Sequence, residues 1–147
     1  DSVSAGKYED ISGPILIKGF VKSGCSVDHQ KVLPDGSKEL VPLVKDWIAN
    51  GVELIITSGG TGLGERDLTI NILDGIYDSR LHGVEQALHA YGRKKVKTAM
   101  LSRLTAGLIK NTIVICLPGS KGAAKDALNV LIPTIFHSFH MIKGEKH

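Results

Sequence analysis

An apolar run, Leu54-Ile55-Ile56-Thr57-Ser58, stops abruptly at Gly59-Gly60-Thr61-Gly62-Leu63-Gly64 and passes at once into Glu65-Arg66-Asp67. An apolar segment this short and this uninterrupted reads as a strand buried on both faces, which requires a sheet held between helical layers. Its glycine-rich exit lets backbone N–H groups approach a ligand closely, as α/β proteins do for anions beyond their strand ends. Phosphate is the ligand this loop suggests.

A second run of the same kind, Thr112-Ile113-Val114-Ile115-Cys116-Leu117, ends in Pro118-Gly119-Ser120. Helical patterns alternate with the two strands. Ser12-Gly13-Pro14 opens a helix carrying Ile15, Leu16, Phe20 and Val21, and Gly24 closes it. Leu40, Leu43, Val44, Trp47 and Ile48 recur at i, i+3, i+4, i+7 and i+8, and Asn50-Gly51 ends that helix. Thr69 is expected to cap a helix bearing Ile72, Leu73 and Ile76, and a further helix is expected from Leu81 to Tyr91. Ala123, Ala127, Leu128, Leu131 and Ile132 line one more, which Pro133 interrupts before a final helix with Ile135, Phe136, Phe139 and Ile142.

Two segments are less regular. Cys25 to Leu33 alternates enough to predict an edge strand, followed by the turn Pro34-Asp35-Gly36. Thr98 to Ile109 reads as loop plus short strand, with Gly107 breaking the pattern. The whole predicts an α/β fold, a three-layer α-β-α arrangement with a mostly parallel central sheet. Both loops then lie outside the carboxyl ends of the strands, where such folds bind ligands.

A chain of 147 residues with 42% hydrophobic content is long enough for one domain, 1–147, with a real core. The net charge of +3 is spread along the chain apart from Arg93-Lys94-Lys95-Val96-Lys97, which reads as a solvated loop, so no nucleic-acid surface is indicated. A generic anionic partner stays open. Cys25 and Cys116 lack metal-binding spacing and read as free thiols in a reducing compartment. No apolar run reaches the length of a membrane span and no signal-peptide pattern precedes residue 12, so the expectation is a cytoplasmic protein with no membrane partner.

The glycine loop matches neither the P-loop nor the dinucleotide fingerprint. Its residues still suit a phosphate: Gly59, Gly60 and Gly62 allow close backbone approach, Thr57, Ser58 and Thr61 add hydroxyls, and Arg66 offers a planar fork. A tight structural turn is the competing reading. Asp35 and Asp67 each follow a predicted strand and turn, so the sheet could bring both carboxylates to one edge, where they would hold magnesium together with ligand phosphates. Taken singly, each is equally a turn or cap residue. Ser102 has no nucleophile signature and suggests at most a hydrogen bond to a ligand. His137 and His140, at i, i+3 among Phe136, Phe139 and Met141, read as packing and surface residues rather than a metal pair.

Six ordered motifs then resemble one family over essentially the whole chain. They are Lys7-Tyr8-Glu9-Asp10-Ile11-Ser12-Gly13-Pro14, Pro34-Asp35, Thr57 through Thr69, Met100-Leu101-Ser102-Arg103, Thr105-Ala106-Gly107 and Leu117-Pro118-Gly119-Ser120. The family is that of the molybdopterin adenylyltransferases, MogA and MoaB, which includes the G domain of gephyrin. The resemblance implies transfer of AMP from ATP to the terminal phosphate of molybdopterin, with release of pyrophosphate, by a homotrimer. Attack by an anionic phosphate oxygen needs little proton abstraction and much alignment and charge neutralisation.

By position, the resemblance implies that Asp35 and Asp67 bind Mg2+ and orient phosphate, and that Ser58, Gly59, Gly60, Thr61 and Gly62 form a ligand loop. It also implies molybdopterin binding by Ser102, a second nucleotide or pterin loop at Pro118, Gly119 and Ser120, and a phosphate contact from Arg66. A molybdenum-insertion domain or protein is the implied partner. The family's usual opening strand ends in a Ser-Asp pair that Asp1-Ser2 appears to follow, so that strand is expected upstream of Asp1. Two departures stand out: Ile70-Asn71 occupies the place of the usual Pro-Glu, and Glu65 that of a common proline. They keep a second reading open, a molybdopterin-binding or trimerising scaffold domain without efficient turnover. A general nucleotide-binding protein is a third reading, against which the missing nucleotide motifs argue.

Overall fold

A computed structural model describes residues 12–144. The expected opening strand and the motif before Ser12 lie outside the described residues. The chain runs α1 (Ser12–Lys22), α2 (Leu40–Ala49), β1 (Leu54–Ser58), α3 (Thr69–Asp74), β2 (Ser79–Arg80), α4 (His82–Lys95), a 3-10 helix (Lys97–Leu101), β3 (Thr105–Ile109), β4 (Thr112–Leu117), α5 (Lys121–Leu131) and α6 (Thr134–Ile142).

The strands form one sheet in the order β1-β4-β3-β2. The period of two in β4 decides the layering. Ile113, Ile115 and Leu117 pack on one face with Leu16 and Phe20 of α1, Leu88 of α4, Ala127 and Leu131 of α5 and Ile135 of α6. Val114 and Cys116 pack on the other with Val44 of α2 and Ile70 and Leu73 of α3. Every residue of β4 is buried, and the sheet lies between two helical layers as its apolar run requires.

The sheet is mixed rather than mostly parallel. β1 runs parallel to β4, in register Leu54 to Ile113 through Ser58 to Leu117. β3 and β4 are antiparallel, as are β2 and β3. The reason is local: Ile109 pairs with Thr112 across a tight connection in which Lys110 takes a left-handed φ of 53°. Two strands so closely joined can only form a hairpin.

Other expectations change in the same way. Cys25 to Leu33 forms no strand and finds no ladder partner. The segment is mostly exposed, and His29 stacks on Trp47 of α2 with ring centroids 5.2 Å apart. Arg93 to Lys95 is the last turn of α4 rather than a loop, where basic side chains suit the negative end of the helix dipole. Lys95 also reaches Asp126 of α5 at 2.8 Å. Thr69 is the first helical residue of α3 and does not cap it, since Leu68 holds the cap position.

Candidate functional site

Because β1 and β4 are parallel, Ser58 and Leu117 end their strands side by side, and the two loops leave the sheet from the same edge. They touch there. The Gly59 N–H donates to the Leu117 carbonyl at 2.8 Å. A Cβ on Gly119 would stand 3.3 Å from Gly59 Cα, so the second loop crosses the first backbone against backbone. Ser12 Oγ donates to the Gly119 carbonyl at 2.9 Å, tying the start of α1 to this crossing. Ser120 caps α5 by accepting from the Ala123 N–H at 3.0 Å, which fixes the exit of the loop.

The glycine loop is shaped by conformations that only glycine holds without strain. Gly59 has φ 103° and Gly60 φ 71°, and a Cβ on Gly60 would overlap Thr69 Oγ1. The Gly59 amide is spent on Leu117, but those of Gly60, Thr61 and Gly62 donate to no protein group among the described residues. Successive unspent amides on a turn are the makings of an anion site. Asp67 folds back into the loop, where its Oδ2 accepts from the Gly64 N–H at 3.1 Å.

Asp35 is exposed and sits in a turn closed by the Ser37 N–H donating to the Pro34 carbonyl at 3.2 Å. The next residue, Gly36, has φ 69°, and a Cβ there would meet Leu68 Cδ1 at 2.8 Å. The Asp35 turn therefore packs directly on the residue after Asp67. A cavity of about 950 Å³ opens at this edge, lined among others by Asp35, Ser58, Gly59, Gly60, Asp67 and Gly119. That is the size range of small-molecule sites. Thr57 also lines it, and its buried Oγ1 has no hydrogen-bond partner among the described residues.

The remaining candidate residues stand apart from the cavity wall. Thr61 is buried at 4% exposure and its hydroxyl meets Ser102 Oγ at 3.0 Å, so the two hydroxyls bind each other. Arg66 is exposed and makes no hydrogen bond or ion pair among the described residues. Gly62, Pro118 and Ser120 frame the loops without lining the cavity. Three other residues matter to the geometry. Thr69 and Lys121 line the cavity. Arg103 donates into the glycine loop at Gly62. Lys121 follows directly on a loop already suspected of binding an anion, which was its sequence signal. Arg103 stands next to Ser102, but only the folded chain shows what it reaches.

Two carboxylates can hold magnesium when phosphates complete its shell. Among the described residues no group of three or more His, Cys, Asp or Glu side chains gathers for a metal. The residues present therefore fit a hard cation that arrives with phosphate and not a dedicated metal centre.

Comparison with known proteins agrees with this edge of the sheet as a pterin-phosphate site. The chain is 54% identical over 147 residues to a molybdenum cofactor biosynthesis bifunctional protein of Chlorobaculum tepidum, covering all of this chain but 47% of that one. It is 33% identical over 142 residues to a molybdopterin adenylyltransferase of Pyrococcus furiosus, covering 93% of this chain and 83% of that one. The solved Mog protein of Mycobacterium ulcerans superposes with a TM-score of 0.90 at 33% identity, covering 99% of this chain and 93% of that one. The family profile described as a probable molybdopterin binding domain matches residues 1–137, and with a match of that extent the chain belongs to this molybdenum cofactor biosynthesis family.

Proposed function

We propose that the chain is an adenylyltransferase domain that transfers AMP from ATP to the terminal phosphate of molybdopterin and releases pyrophosphate. One observation carries the reading: Gly59, Gly60, Asp67 and Asp35 line a single cavity at the carboxyl ends of two parallel strands. In this reading the unspent amides of Gly60, Thr61 and Gly62 bind and orient phosphate oxygens. Lys121 and the Gly119 turn approach from the second loop. Asp35 and Asp67 are the residues that would hold Mg2+, which when bound offsets the charge of two phosphates brought together.

The attacking group is itself a phosphate oxygen, so the chain's task is alignment and charge neutralisation rather than proton removal. Ser102 acts here through Thr61, as a brace for the ligand loop. We place the domain in a homotrimer, in the cytoplasm, upstream of a molybdenum-insertion domain or protein. The exposed apolar side chains of Leu63, Met100 and Leu101, on the loop and the 3-10 helix beside it, suit contact with a second copy. No described helix is long and apolar enough to cross a membrane.

The test is direct: incubation with molybdopterin, ATP and magnesium, followed by chromatography for adenylylated molybdopterin and pyrophosphate. Absence of both products, with molybdopterin still bound, favours the scaffold reading instead. Asn71 is the observation on that side, because it puts a neutral side chain on α3 beside the site.

A further inference from the structure

Arg103 reaches four points on the glycine loop and its continuation. Its backbone N–H donates to the Thr61 carbonyl at 2.7 Å, and Nε donates to the Gly62 carbonyl at 2.9 Å. Nη1 donates to Asn71 Oδ1 at 2.6 Å, and Nη2 to the main-chain carbonyl of Asp67. We propose that Arg103 is the positioning residue of this loop: it fixes the shape in which the amides face a phosphate and leaves its own positive charge standing beside them. The proposal rests on the phosphate-binding reading above.

The chemistry of the side chain suits the task. A guanidinium projects its donors in one plane at fixed angles, so satisfying Nε, Nη1 and Nη2 together leaves the three acceptors little freedom. Lysine has no such fork. The bonds are charge-assisted and Arg103 is half-buried, so they are screened less than surface pairs.

All four acceptors are neutral. Asn71 matters most here, because its amide oxygen accepts as a carboxylate would but does not cancel the charge. A guanidinium held in place and left net positive favours an anion bound over the same loop. Arg66 carries the same charge but is exposed and makes no bond that would hold its position.

Hydrogen exchange on the full protein tests the positioning role without any ligand. In Arg103→Lys and Arg103→Gln, amides of residues 59–68 are expected to exchange about tenfold faster or more, with β4 unchanged. Unchanged exchange in that loop overturns the proposal. If neither variant folds, Asn71→Ala carries the same test over residues 66–72, because it removes a single bond of the set.

Asn71→Glu tests the charge, since it keeps an acceptor for Nη1 and adds a negative group. ATP affinity, measured by calorimetry with magnesium, is expected to fall about 3- to 10-fold, and the difference to shrink in high salt. Equal or tighter binding of ATP overturns the charge role. A parent protein that binds no ATP defeats the functional reading and the charge role with it, while the exchange experiment still decides the loop.

Discussion

Gly62 leaves open the space into which Asp67 places its carboxylate: a Cβ on Gly62 would stand 2.7 Å from Asp67 Oδ2. Gly64 does the same from the other side, where a Cβ would lie 2.9 Å from that oxygen. The glycines after β1 thus have two uses. Gly59 and Gly60 supply left-handed backbone, while Gly62 and Gly64 make room for an acid within the loop.

Gly62→Ala separates those uses. Gly62 is not among the residues of left-handed φ, so alanine is tolerated by the backbone and the cost falls on the carboxylate. Thermal unfolding should move by no more than a few degrees, while AMP transfer should fall about 10- to 100-fold through displacement of Asp67. Wild-type turnover in this variant would show that the placement of Asp67 does not govern the reaction.

Asp67→Asn removes the charge and keeps the shape. The amide oxygen can still accept from the Gly64 N–H, so the loop should hold its form. Turnover is expected to drop by about 100-fold or more, with ATP affinity changed only several-fold. The magnesium dependence of the residual rate should flatten. Normal product formation would remove Asp67 from any metal role.

Away from the site, Glu85 sets an acid limit on stability. Burial alone would push its carboxyl up, but the Ala106 N–H, the Arg80 guanidinium and His82 together hold it below its ordinary value of 4.5. A carboxyl lowered in the folded state contributes stability that is complete above its unfolded pKa and is lost as pH falls through the folded one. Unfolding followed by circular dichroism should therefore show a loss of stability that develops below pH 4.5. Glu85→Gln should lose about 1 to 3 kcal/mol at neutral pH and show a weaker acid dependence. An unaltered acid limb in that variant would assign the limb to other carboxylates.

The layered fold was legible because its signals are local. The period of two in β4 and the helical spacing from Leu40 to Ile48 report burial on stated faces, and both elements formed where those patterns lie. The strand directions were not legible to the same degree, because Lys110 carries no turn signature and only its left-handed backbone reveals the hairpin. The segment from Cys25 to Leu33 failed for a related reason. Alternation marks a strand only if a neighbour offers a ladder, and here His29 meets an aromatic ring instead. At the site, sequence order could suggest that Asp35 and Asp67 share an edge. It could not show that Gly36 seats on Leu68, that Thr61 and Ser102 satisfy each other, or that Arg103 spans the loop to Asn71.

Gly107, which interrupts the apolar pattern in the sequence, shows how a missing side chain can hold an edge together. It lies in β3, and a Cβ there would meet Tyr77 Cδ1 at 2.5 Å and the Ser79 carbonyl oxygen at 2.7 Å. The Tyr77 ring covers this gap so that its hydroxyl reaches Thr105 Oγ1 at 3.0 Å and Cys116 Sγ at 3.4 Å. Burial, reinforced by Cys116, pushes the phenol pKa up and keeps it neutral. Gly107→Ala must displace both the ring and the short β2 strand, at an expected cost of about 2 to 3 kcal/mol. Tyr77→Ala opens a cavity and removes the hydroxyl's bonds, costing about 3 kcal/mol by itself. The double variant distinguishes the two obstacles, because removing the ring leaves the Ser79 carbonyl in the way. Chemical denaturation should then show only partial relief, with the Gly107→Ala cost in the Tyr77→Ala background reduced but not abolished. Full relief would assign the whole constraint to the ring, and none would assign it to the β2 backbone.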